Sequence, residues 1–166
     1  MKPIKYVIVT LVLLTITSGA FAQFRVGGGL GFGFDQEAFS LFARAGYDFT
    51  ENLRTNATFN FYFLENEDTD FLDRDAFDIN LDVNYDFANL PTIDLYGLAG
   101  LNIYRLSTET VTGDFKNTDL GLNIGVGGLF GVADKIDILS ELKYNIGSTE
   151  ELFFGFGVMF NITGSR

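Results

Sequence analysis

The chain has 166 residues, a formal net charge of −11, and neither cysteine nor histidine. These counts rule out a disulfide framework, a Cys/His zinc site and any catalytic arrangement built on a His or Cys. The acidity excludes nucleic acid as a partner. The 19 Phe and 19 Gly against only 2 Pro suit alternating strands with an aromatic outer surface.

The first element in the chain is a targeting segment. Lys2 and Lys5 precede an apolar run from Tyr6 to Ile16, and Ser18, Gly19, Ala20, Phe21 and Ala22 close it. That order, from charged start through apolar middle to small residues at the cut, marks a secretory signal peptide. Residues 1–22 are therefore expected to be removed before Gln23. The run is too short for a membrane anchor, which takes about 20 apolar residues. Residues 23–166 then form one domain. Without Lys2 and Lys5 the 11 basic residues fall to 9 against 22 acidic ones, so the charge is 9 − 22 = −13.

Eight stretches of period-two alternation follow, each with an oily and a polar face as a strand requires. Phe24, Val26, Leu30, Phe32 and Phe34 alternate with Arg25 and a row of glycines. Phe39, Leu41, Ala43, Ala45, Tyr47 and Phe49 alternate with Ser40, Phe42, Arg44, Gly46 and Asp48. Leu53, Thr55, Ala57, Phe59, Phe61 and Phe63 alternate with Arg54, Asn56, Thr58, Asn60 and Tyr62. The pattern is clearest from Phe77 to Phe87, where Asp78, Asn80, Asp82, Asn84 and Asp86 occupy one face alone. Ile93 to Tyr104, Leu120 to Phe130, Ile136 to Ile146 and Phe154 to Ile162 repeat it.

The connections alternate in length. Thr50–Asn52, Ala88–Thr92 and Gly131–Lys135 are short and fall on one side of a barrel. Glu65–Asp75 and Ser107–Thr118 are long and fall on the other, with the short Asp35–Ala38 and Gly147–Glu151. Short periplasmic turns and longer outer loops are the pattern of a membrane barrel. The predicted fold is all-β: a closed, eight-stranded, antiparallel up-and-down transmembrane β-barrel. Closure follows because an open strand edge has no water partner in lipid. A soluble carrier with an oily interior satisfies the same alternation with inside and outside exchanged. Side-chain size favours the membrane form, since small Gly, Asn, Asp and Ser suit the narrow lumen of eight strands. Phe39, Phe49, Phe63, Phe77, Tyr85, Phe87 and Tyr144 lie near strand ends, where aromatic girdles sit.

The inward charges are the candidate site. Arg44, Asp82 and Glu141 fall mid-strand, and Arg25, Arg54, Asp48, Asp86, Asp94 and Asp137 near the periplasmic ends. Ionisable groups at membrane depth face inward and pair, so these nine are expected to form an ion-pair plug. The other reading is a narrow cation-preferring path lined by carboxylates. Inward glycines gather on the first, sixth and last strands, and larger residues on strands two to five, so one thin wall leaves room for side chains from the opposite one. Among the loops, Glu65, Glu67, Asp68 and Asp70 form an acidic stretch that is a solvated loop or a weak divalent-cation site. Phe71, Leu72 and Phe115 are the apolar loop residues available for a contact. No cofactor is expected.

The signal segment, eight alternating strands, short turns and the aromatic last strand, Leu152 to Ile162, resemble the small outer-membrane β-barrels of the OmpA-like and OmpX-like kind. That resemblance implies an outer-membrane location in a Gram-negative-type envelope, a lipid environment, assembly by the barrel-assembly machinery and a monomer. It also implies a non-enzymatic structural or surface-interaction role; the inward carboxylates and the alternation leave a small cation-preferring channel or a soluble carrier of an apolar ligand as alternatives.

Overall fold

A computed structural model describes residues 23–64, 73–110, 113–147 and 150–163. It forms eight strands: β1 (Gln23–Gly33), β2 (Ala38–Asp48), β3 (Leu53–Phe63), β4 (Asp73–Leu90), β5 (Ile93–Thr110), β6 (Gly113–Ala133), β7 (Ile136–Gly147) and β8 (Glu151–Asn161). Each pairs antiparallel with the next, and β1 pairs with β8, from Arg25 opposite Asn161 to Gly33 opposite Phe153. The seam is extended past the strand ends: the Ile162 amide donates to the Phe24 carbonyl at 2.8 Å, and the Phe24 amide donates to Thr163 Oγ1 at 2.7 Å. The chain therefore leaves no free ladder edge around the ring.

The alternation read from the sequence sorts inward from outward. Leu81, Leu101, Leu122, Ile124 and Phe156 are each more than half exposed on the outer surface, whereas Asn80, Asn84, Tyr96, Asp137 and Glu141 are at most 2 % exposed inside. This polarity overturns the soluble-carrier alternative, which needs the oily faces inward. The aromatic residues of the outer surface touch one another near the strand ends, as in Tyr47 with Phe49 and Phe61 with Phe63.

Several predicted connections are shorter than expected. Ser107–Thr118 is not a long loop, since Ser107 pairs with Lys116 and the ladder continues to Thr110 opposite Gly113. These residues lack an oily face, and a ladder outside the bilayer needs none. Asp73, Arg74 and Asp75 likewise belong to β4, opposite Glu109, Thr108 and Ser107. At the opposite end β4 runs on to Leu90 and β6 to Ala133, each through a register shift, at Asp86/Ala88 and Gly131/Ala133. A bulge breaks the strict alternation and so makes a strand end read as a turn. Ala38 opens β2, and Glu151 opens β8 with its side chain buried. Strands β4, β5 and β6, at 18, 18 and 21 residues, exceed the others, which have 11 or 12.

Candidate functional site: the barrel lumen

The middle of the lumen is crossed by one charged bridge. Arg44 on β2 and Glu141 on β7 come from strands separated by β1 and β8. Arg44 Nη2 donates to Glu141 Oε1 at 2.7 Å, and Nη1 donates to Oε2 at 2.8 Å. Two parallel charge-assisted bonds are the strongest arrangement an Arg–carboxylate pair adopts. Arg44 Nε donates to Thr58 Oγ1 at 2.8 Å, and the Tyr96 hydroxyl donates to Glu141 Oε2 at 2.7 Å. Strands β2, β3, β5 and β7 are thus tied at one level. Tyr96, Gly127 and Glu141 stand in one cross-strand row, and a Cβ at Gly127 would overlap the Tyr96 ring. The glycine lets the phenol reach over β6 to the carboxylate. Phe42, Leu98, Leu129, Leu139 and Met159 pack an apolar layer with Tyr96. Phe42 lies against Gly155 and Gly157 in the thin wall.

The end with the short turns is held by further arginines. Arg25 reaches Asp48 at 2.7 Å and Asp137 at 3.4 Å, and Asn161 Nδ2 donates to Asp137 Oδ2 at 3.2 Å. Arg54 pairs with Asp86 across β3 and β4 and lies over the Tyr96 ring, 5.0 Å from its centroid. Asp94 is close enough to Asp86 to interact with it electrostatically.

The opposite half is built mainly from amides. Asn123 Nδ2 donates to Asn80 Oδ1 and to Asp82 Oδ1, both at 2.7 Å, and Asn102 Nδ2 donates to Asn80 Oδ1 at 2.9 Å. Asp82 crosses above Gly100 to do so, in the row Asp82, Gly100, Asn123. Asp78 accepts from Asn60, Asn80 and the Tyr62 hydroxyl, the last at 2.7 Å. Lys143 Nζ is 4.0 Å from Asp82 and 5.3 Å from the centroid of Phe153. Glu151 Oε1 accepts from the Asp35 amide at 3.1 Å, and Tyr104 donates to Gln36 Oε1 at 3.0 Å, which anchors the β1–β2 turn over the lumen.

Of the nine expected inward charges, Arg44 meets Glu141, Arg25 meets Asp48 and Asp137, and Arg54 meets Asp86. Asp82 does not join Arg44 and Glu141. It lies one level away, with Asn123 and Lys143. Lys143, Asp78 and Glu151 were passed over, although strand parity alone turns each of them inward. Residues Glu65, Glu67, Asp68, Asp70, Phe71 and Leu72 lie outside the described residues. Phe115, on β6, pairs with Thr108 of β5 rather than tipping a loop. Among the described residues no three carboxylates gather as cation ligands would.

The family model of the outer membrane protein beta-barrel domain matches residues 8–161. The chain belongs to this family. No individual curated protein matches it in sequence. In structure, this outer-membrane barrel is similar to the N-terminal β-barrel domain of Pseudomonas aeruginosa OprF, at TM-score 0.69 and 19 % identity over 84 % of this chain and 97 % of that one. It is also similar to Ail, the attachment invasion locus protein of Yersinia pestis, at TM-score 0.63 and 14 % identity over 85 % and 97 %. Neisserial surface protein A gives TM-score 0.62 and 20 % identity over 85 % and 96 %. The protein is thus placed in the cell outer membrane, its apolar outer face in contact with lipid. In such barrels the short turns face the periplasm and the longer connections face outward, so the arginine clasps form the inner half of the lumen and the amides the outer half.

Proposed function

We propose that this barrel is a non-enzymatic structural component of the outer membrane whose lumen is sealed, and that any recognition is carried by its outer connections. The observation that carries the reading is the Arg44–Glu141 bridge. Its side chains are 4 % and 1 % exposed, and with Tyr96 and Thr58 it spans the barrel at one level. An apolar layer of Leu98, Leu129, Leu139 and Met159, all buried, lies beside it. A lumen crossed by a bonded ion pair and an apolar layer offers a permeating ion no continuous row of coordinating groups. The β5–β6 ladder runs on to Thr110 opposite Gly113, beyond the last β6–β7 pair, Gly121 opposite Gly147, and offers an outward surface for a partner. On this reading residues 1–22 are a signal peptide, the mature chain starts at Gln23, and the barrel-assembly machinery inserts it as a monomer.

The test is planar-bilayer conductance of the full mature chain. The wild type is expected to be silent, and an Arg44→Ala/Glu141→Ala double variant to pass current. A steady, cation-selective wild-type conductance, lost on neutralising Asp82 and Glu141, would overturn the sealed-lumen reading in favour of the small channel. Mass spectrometry of the protein from membranes checks the N-terminus at Gln23.

A further inference from the structure

Between the central bridge and the inner clasps lies a small chamber lined by Arg25, Arg44, Arg54, Asn84 and Tyr96, among others. It leaves about 10 Å³ for the centre of an occupant, room for one water-sized sphere. Three guanidinium groups line it and no carboxylate does. Asp48 and Asp137 hold all three nitrogens of Arg25, and Asp86 holds Nη2 of Arg54. The nitrogens of Arg44 are all engaged, by Thr58 and Glu141. Arg54 is not so satisfied. It is 3 % exposed, and its Nε and Nη1 are buried without a hydrogen-bond partner.

We propose that this chamber is a binding site for a small monatomic anion, chloride in a saline medium, held by the unpartnered N–H groups of Arg54. Buried donors left unsatisfied are costly, most of all when they carry charge. A one-atom anion fits the space and can accept from both unpartnered Arg54 nitrogens, with no carboxylate in the chamber lining to oppose it. Polyatomic anions such as sulfate or gluconate are too large. The site would make the inner half of the plug dependent on a periplasmic ion, and it stands whether or not the central bridge conducts.

The experiment is thermal unfolding of the full mature barrel in lipid vesicles, in sodium chloride and in sodium gluconate at equal ionic strength. A ligand that binds only the folded form raises the midpoint with concentration. Chloride and bromide are expected to raise it by a few degrees in a saturable way, and gluconate not to. The double variant Arg54→Gln/Asp86→Asn removes the guanidinium without stranding its carboxylate, and is expected to lose the halide effect. Equal midpoints in the two salts would mean water alone occupies the chamber and would overturn the proposal. So would a halide effect that survives in the variant. Should the variant fail to fold, bromide soaked into wild-type crystals decides the matter: an anomalous peak within hydrogen-bonding distance of Arg54 Nη1 supports the site, and none there refutes it.

Discussion

The two halves of the lumen solve the same problem by different chemistry. From the centre inward, the buried arginines Arg25, Arg44 and Arg54 each meet a carboxylate. In the outer half, Asn60, Asn80, Asn102, Asn123 and Asn145 link strands β3 to β7, and the buried base is Lys143. An amide gives both donors and acceptors without bringing a charge out of water. The outer half therefore closes mainly through amides, with Lys143 and Asp82 as a single loose ion pair among its described residues. The inner half couples strands by pairs whose members cannot be lost singly, because removing one ion strands the other.

That difference predicts the largest effect. Glu141→Ala leaves the Arg44 guanidinium buried and removes the acceptor of Tyr96, so unfolding in vesicles should lose about 3–5 kcal/mol. Replacing both ions, as Arg44→Met/Glu141→Leu, should recover most of that loss, since a well-packed apolar pair of similar volume is often neutral. Urea titration of both variants against wild type checks this. A Glu141→Ala cost below about 1 kcal/mol, the range of a surface pair, would show that the bridge does not hold the strands together.

The next effect tests how the bridge is reached. Gly127→Val places side-chain atoms where Tyr96 lies, and overpacking of this kind costs about 1–3 kcal/mol. Tyr96→Ala added to Gly127→Val should cost less than the two single losses summed, because the clash is then gone. A strictly additive double variant would count against the contact.

Much of this was legible in the sequence. Period two fixed the eight strands and turned Arg44, Glu141, Arg25 and Asp137 inward, because one face must meet lipid and the other cannot. Partners were harder to read, because pairing depends on cross-strand register, which alternation leaves open. Asp82 shows this: it matches Arg44 and Glu141 in distance along the strand, yet the tilt and stagger of the strands set it beside Asn123. The glycines carry more information than alternation alone conveys. Gly127 between Tyr96 and Glu141, and Gly100 between Asp82 and Asn123, are gaps across which side chains two strands apart meet. The strand ends at Asp86–Leu90 and Gly131–Ala133 stayed hidden because bulges break the alternation.

A smaller effect is expected in the outer half at Asp78. Asp78→Asn keeps the shape and removes a charge that Asn60, Asn80 and Tyr62 solvate. No basic residue is left stranded by the change, so the loss should be about 1.5–3 kcal/mol, the scale of hydrogen bonds to a charged group. A loss as large as that of Glu141→Ala would erase the distinction between the halves.

The smallest effect is expected where the outer half most resembles the inner one. Lys143 and Asp82 are a buried ion pair by distance alone, at 4.0 Å with side chains 3 % and 1 % exposed. Unlike Arg44 and Glu141, they share no hydrogen bond, and Lys143 Nζ has no hydrogen-bond partner. Coulomb attraction is then set against the desolvation of an ammonium that donates nothing. Asp82 keeps the Asn123 amide if the lysine is removed. Lys143→Met retains the stem against Phe153, so its stability should stay within about 1 kcal/mol of wild type, because the desolvation penalty offsets a poorly made pair. If Lys143→Met instead proves as costly as Glu141→Ala, charge alone holds this lumen together, and the bidentate geometry of the central bridge is incidental.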